Sequence, residues 1–113
     1  MSKKDKGNLL AIIDSCSKIE KFTADLWDAD AFFSDEKTFD AVLMNMVIIG
    51  EAVGRLSNEL KDKNKHVPWM RIKGFRNIVA HDYFGVDAEE VWQIIKKNLP
   101  ELKHQIEEIL RVL

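Results

Sequence analysis

Apolar residues recur at steps of three and four along almost the whole chain, the spacing that gathers them on one face of an α-helix. Leu9, Ile12, Ile13, Cys16, Ile19, Phe22 and Leu26 form the first such stripe, predicting a helix that starts near Asn8. A break follows from Asp28 to Ser34. Ser34 then suits an N-cap, with Asp35 and Glu36 in the first turn, where the helix dipole favours acids. A second helix is predicted from there to about Lys61, with Phe39, Val42, Leu43, Met46, Val47, Ile49, Val53, Leu56 and Leu60 as its stripe. Between Val42 and Val53 it is apolar almost all round, which predicts a central position. Gly50, Ala52 and Gly54 weaken helix propensity but leave room for close approach by another helix, of this chain or of a partner. Glu51 interrupts the apolar run. A carboxylate there is either paired within the fold or faces an open surface, where it can serve a site.

Asp62 to Val67 reads as a lysine-rich loop. Pro68 suits the first turn of a third helix, carrying Trp69, Ile72 and Phe75, with Gly74 able to divide it. Phe84-Gly85-Val86 ends that helix, and Asp87 caps the next, with Glu90 completing a capping box. Val91, Trp92, Ile94 and Ile95 give its inner face. Pro100 marks a break or restart before the last stripe, Leu102, Ile106, Ile109, Leu110 and Leu113. No strand-like alternation competes. The expected architecture is all-α, an up-and-down bundle of four to five helices in one domain, residues 1–113.

Charge adds a direction to this scaffold. The 113 residues carry −2 overall, but Lys61, Lys63, Lys65, Arg71, Lys73 and Arg76 face only Asp62 as an acid in their window. That window is +5 and the remainder −7, so positive charge is concentrated where a polyanion can be attracted. The single cysteine, Cys16, excludes an intrachain disulfide and falls on an apolar stripe, as a small core residue does. No metal-ligand spacing appears among His66, His81 and His104, and neither metal nor cofactor is expected. The apolar run Leu9 to Ile13 is too short for a signal peptide or membrane span, which points to a cytoplasmic protein.

The chemistry concentrates in Arg76-Asn77-Ile78-Val79-Ala80-His81-Asp82-Tyr83, which brings a permanent cation, a group titrating near neutral pH and a phenol into one segment. Histidine can exchange a proton with a ribose 2′-hydroxyl or a leaving 5′-oxygen, and arginine presents a planar fork to phosphate oxygens. Residues five apart on a helix differ by about 140° in direction and about 7.5 Å in height. Arg76 and His81 therefore converge through the long arginine side chain, through a helix end near His81, or across two copies of the segment in a two-fold dimer. Asn77 can orient either group, and Asp82 neighbours the histidine. Lys65, Arg71 and Lys73 are the expected RNA contacts. Trp69, Trp92 and Phe84 are expected in the core rather than as base-stacking platforms, and Tyr83 at a core edge with its hydroxyl in water.

Arg76, His81 and Tyr83 match the Arg-x-x-x-x-His-x-Tyr motif of HepT-like proteins of the HEPN superfamily. The resemblance extends to Ile49-Gly50-Glu51-Ala52, Val67-Pro68-Trp69, Gly74-Phe75-Arg76-Asn77, His81 to Asp87, Val91-Trp92 and Leu99-Pro100, in order. It covers about Phe39 to the C-terminus, and the first helix matches in general character. It implies a homodimeric helical bundle with a composite cleft. It further implies a ribonuclease toxin of a toxin–antitoxin pair, with Arg76 and His81 catalytic. The cognate antitoxin would be a minimal nucleotidyltransferase that silences the toxin by transferring AMP onto Tyr83, adding negative charge and bulk beside the catalytic pair. The alternative is a dimeric partner of a nucleotidyltransferase that binds a nucleotide or RNA without cutting it.

Overall fold

A computed structural model describes residues 2–80 and 83–112. Eight α-helices and one π-helical turn account for most of them, and no strand occurs among the described residues. Helix α1 spans Lys3–Thr23 and starts five residues before the predicted start at Asn8, because Ser2 caps it by accepting a hydrogen bond from the Asp5 N–H at 3.0 Å. Leu9, Ile12, Cys16 and Ile19 are fully buried. Burial pushes the Cys16 thiol up to about 12, the state of an inert core residue.

The predicted break from Asp28 to Ser34 is instead a short helix, α2 (Ala29–Ser34), capped by Asp28, whose carboxylate accepts from the Ala31 N–H at 2.9 Å. Six residues are too few to display a period, so the sequence pattern missed it. Its Phe32 is fully buried between Phe39 and Trp92, with ring centroids 5.0 and 5.7 Å away. Ser34 closes α2, and the cap of α3 (Glu36–Arg55) is Asp35, which accepts from the Thr38 N–H at 3.1 Å.

Helix α3 is central: it packs against α1, against α2, and against α5 (Trp69–Lys73) and α6 (Phe75–Ala80). It stops at Arg55 rather than running to Lys61. Leu56 and Ser57 are extended, and Ser57 caps α4 (Asn58–Lys63). The reason lies 52 residues away. The buried Asp5 carboxylate accepts from the Ser57 N–H at 2.9 Å and from its hydroxyl at 2.7 Å, which fixes the start of α1 against the end of α3 and makes the two antiparallel.

Pro68 stands at the N-cap of α5, and Gly74 separates α5 from α6, as the sequence suggested. Asp87 caps α7 (Ala88–Gln93), accepting from the N–H groups of Glu89 and Glu90. Of the break or restart expected at Pro100, the structure has the restart: residues Ile94–Asn98 form a π-helical turn leading directly into α8 (Leu99–Arg111), with Pro100 in its first turn. Proline has no N–H to donate and its ring crowds the carbonyl four residues back, so a widened turn lets the helix pass it without stopping. Helix α8 returns along α1, with Lys103 3.3 Å from Glu20, and the result is three long antiparallel rods with short helices across them. No described helix is long and apolar enough to cross a membrane.

Asp5 makes the junction sensitive to acid. Burial pushes its carboxyl up, but the hydrogen bonds from Ser57 and Ser2 outweigh that, leaving it below its ordinary 3.8. Its contribution is therefore complete above about pH 4 and disappears as pH falls through the depressed value. Asp5→Asn is expected to cost about 1–3 kcal/mol at neutral pH. Urea unfolding at pH 7 and pH 3 should show the variant losing less stability on acidification than the parent.

Candidate active site on the third helix

Gly50 lies buried where the turn between α5 and α6 crosses α3. A Cβ placed on it would come within 3.0 Å of the Arg76 backbone nitrogen, the Arg76 Cβ and the Lys73 carbonyl oxygen. Only a residue without a side chain lets the two backbones approach so closely. Gly54, one turn on, is less constrained: an added Cβ would meet only the flexible end of Lys73, at 3.7 Å. The glycine-rich stretch thus admits a helix pair of the same chain, and Gly50 is where the fit is closest.

That approach delivers Arg76 to the residue after Gly50. The Arg76 guanidinium pairs with the Glu51 carboxylate through Nε, and both side chains remain about half exposed. The carboxylate that interrupted the apolar run is thus both paired and at an open surface. The pair lies in a groove of about 600 Å³, which Arg55, Lys73 and Asn77 also line. A second groove, of about 690 Å³, shares Lys73 and Met70 with it and continues past Arg71 to Lys65 and Lys61. Lys65, Arg71 and Lys73 are all exposed. The basic window of the sequence is therefore a cationic track ending at Arg76, a surface suited to a chain of phosphates.

Tyr83 lies against another part of α3. Its hydroxyl donates to Asp40 Oδ1 and not simply to water. That hydrogen bond, followed by partial desolvation and the negative charges of Asp40 and Glu36, raises the phenol above its ordinary 10.0. Asp40 and Glu51 are eleven residues apart, so they share one face of α3 to within about 20° and are separated by about 16 Å along its axis. Arg76 and Tyr83, close in sequence, are thus held at two stations of one helix face. Between the stations the face is apolar, with Met44 60% and Ile48 40% exposed.

His81 and Asp82, the expected proton-transfer group and its neighbour, lie outside the described residues. Trp69 and Trp92 are core residues as expected, Trp69 donating its indole N–H to the Asn64 carbonyl at 3.0 Å. Phe84 is not: it is 96% exposed, with its ring edge-on to Tyr83 at 5.2 Å. The turn after the motif carries it outward, a feature that hydrophobicity alone cannot signal. Asp40 was also missed, since one acid in the first turns of a helix reads as an ordinary dipole partner. A separate cavity of about 360 Å³, beside Ser2, Asp5 and Ser57, lies at the far end of α1, where the Asp5 carboxylate is already engaged by Ser57.

The chain is similar in sequence to several known proteins. Residues 12–109 match the family described as Ribonuclease HepT-like, which brings most of α1 within the similarity. A Methanocaldococcus jannaschii protein named "Putative RNase" is 37% identical over 108 residues, covering 95% of this chain and 98% of that protein. A Thermococcus cleftensis protein named "Probable ribonuclease HepT" is 34% identical over 109 residues, covering 96% and 98%. A second M. jannaschii protein, whose name joins gamma-glutamylcyclotransferase to "putative RNase", is 38% identical over 113 residues, and this chain spans 50% of its length. No solved structure matches.

Three substitutions test the geometry. Gly50→Ala is expected to destabilise by about 1–2 kcal/mol despite the better helix propensity of alanine, because two of the three contacts are backbone atoms that cannot yield. Gly7→Ala in α1, where an added Cβ meets nothing within 4 Å, should instead stabilise by about 0.5–1 kcal/mol. Glu51→Gln should leave stability within about 1 kcal/mol of the parent. It should tighten binding of a fluorescent RNA oligonucleotide several-fold in anisotropy titrations, because a competing carboxylate leaves Arg76.

Proposed function

Because this chain belongs to the HepT-like ribonuclease family, we propose that it is a metal-independent endoribonuclease acting in the cytoplasm as the toxin of a toxin–antitoxin pair. The observation that carries this reading is the cationic track from Lys65 through Arg71 and Lys73 to a half-exposed Arg76 in an open groove. RNA phosphates lie along the track, and the arginine fork meets the scissile phosphate once Glu51 gives way. His81 exchanges the proton with the 2′-hydroxyl or the leaving 5′-oxygen, with Asn77 and Asp82 in support.

The chain, as one domain over 1–113, works as a homodimer. Met44 and Ile48 leave an apolar strip on α3 between Arg76 and Tyr83, and a second copy seated there would cover it and supply a second Arg76 and His81 to one cleft. The cognate minimal nucleotidyltransferase silences the enzyme by placing AMP on Tyr83, a residue 43% exposed and so reachable. Added phosphates compete with RNA for Arg76 along the same face.

A second reading, in which RNA or a nucleotide is bound without turnover, draws on the Glu51–Arg76 pair, which places a carboxylate where a phosphate would sit. Purified, unmodified protein incubated with RNA and EDTA separates the two. Cleavage with a bell-shaped pH profile is expected, falling about 10²–10⁴-fold in His81→Ala and Arg76→Ala. Cleavage equal in parent and variants would assign the activity to a contaminant. Tight RNA binding without any cleavage would favour the second reading.

A further inference from the structure

Tyr83 is held by a residue that the motif does not contain. Its hydroxyl donates to Asp40 Oδ1, a carboxylate 43 residues earlier, in the first turns of α3. The contact joins the loop after α6 to the exposed face of α3, and both side chains are accessible. A neutral phenol is a weak nucleophile. With an ordinary pKa near 10, about one in a thousand is ionised at pH 7. Hydrogen bonding to Asp40, with the negative charge of Glu36 nearby, reduces that fraction further. A reaction that waited for free phenolate would be slow here. A carboxylate already bonded to the phenolic proton removes the need to wait.

We propose that Asp40 and Tyr83 form a base–nucleophile pair, Asp40 taking the phenolic proton as the Tyr83 oxygen attacks the α-phosphorus of a nucleoside triphosphate. The bond formed is oxygen to phosphorus, and the bond broken joins that phosphorus to pyrophosphate, which leaves with the electron pair. The proton passes to the Asp40 carboxylate and from there to water. The groups acting on the phenol, Asp40 and Glu36, are both negative. The triphosphate is therefore delivered with its charge neutralised by the transferring enzyme and its divalent cation. Asp40 is thus a catalytic residue of the modification and not of RNA cleavage. The inference rests on reading Tyr83 as the modified residue.

The chain has one tyrosine, so its reactivity can be followed without interference from another phenol. N-acetylimidazole, an electrophile that needs no partner enzyme, is reacted with the parent, Asp40→Asn, Asp40→Glu and Tyr83→Phe, and acetylation is mapped by peptide mass. Asp40→Asn is expected to slow Tyr83 acetylation at pH 7 about tenfold or more, and Asp40→Glu to recover part of the rate. The Asn variant's rate should then climb tenfold per pH unit and rejoin the parent where the phenol ionises, which a merely structural role would not produce. Near-ultraviolet titration of the same variant should show Tyr83 ionising closer to 10.0 than in the parent. Equal rates and equal pH profiles in parent and Asp40→Asn would overturn the pair. Nucleotide transfer from ATP by the cognate nucleotidyltransferase forms a separate arm. A parent that reacts with N-acetylimidazole through Asp40 but never accepts nucleotide would overturn the reading of Tyr83 as its target, while leaving the base–nucleophile pair standing.

Discussion

The close approach of two backbones at Gly50 is the contact on which the candidate site depends. The α5–α6 turn rests on α3 with its Arg76 and Lys73 backbone atoms 3.0 Å from where a Cβ would stand. Because that distance is set largely by main chain, the backbone of Arg76 is seated against Gly50 whatever its long side chain does. Glu51 follows Gly50 and meets the arginine it has admitted. The small residue and the acid are consecutive because one makes the space and the other faces what fills it.

The same helix also separates the charges. Toward its C-terminal end stand Glu51 and Arg55, facing the cationic track of Lys65, Arg71 and Lys73. Toward its N-terminal end stand Glu36 and Asp40, acting on Tyr83. A polyanion is drawn to the first end and repelled from the second, while a proton acceptor is useful only at the second. The Glu51–Arg76 pair and the Asp40–Tyr83 hydrogen bond thus stand about 16 Å apart on one face, joined by the apolar strip of Met44 and Ile48.

Much of the scaffold was legible in the sequence because long amphipathic helices repeat their pattern several times. Leu9 to Ile19 and Phe39 to Val53 are core stripes in both, and the dividing role of Gly74 and the cap at Asp87 are local chemistry that needs no partner. Where the reading differed, a distant residue intervened or the element was too short. Helix α3 ends before Ser57 because Asp5 claims that residue's N–H and hydroxyl from another helix. The six residues of α2 make fewer than two full turns, too few to repeat a pattern, and Phe84 is apolar yet faces outward because the turn before α7 carries it there.

By itself the sequence determined the helical class, the extent of the resemblance to HepT-like proteins, the basic window and the identities of Arg76, His81 and Tyr83. These are properties of periodicity and residue type, which need no tertiary contact to exist. Only the tertiary structure decided that Arg76 meets Glu51 while Tyr83 meets Asp40, and that the two meetings lie apart on one helix. Residues seven apart in a chain are separated or joined by the element they pack on, and the backbone contact at Gly50 and the Asp40 hydrogen bond are long-range facts that no local spacing encodes.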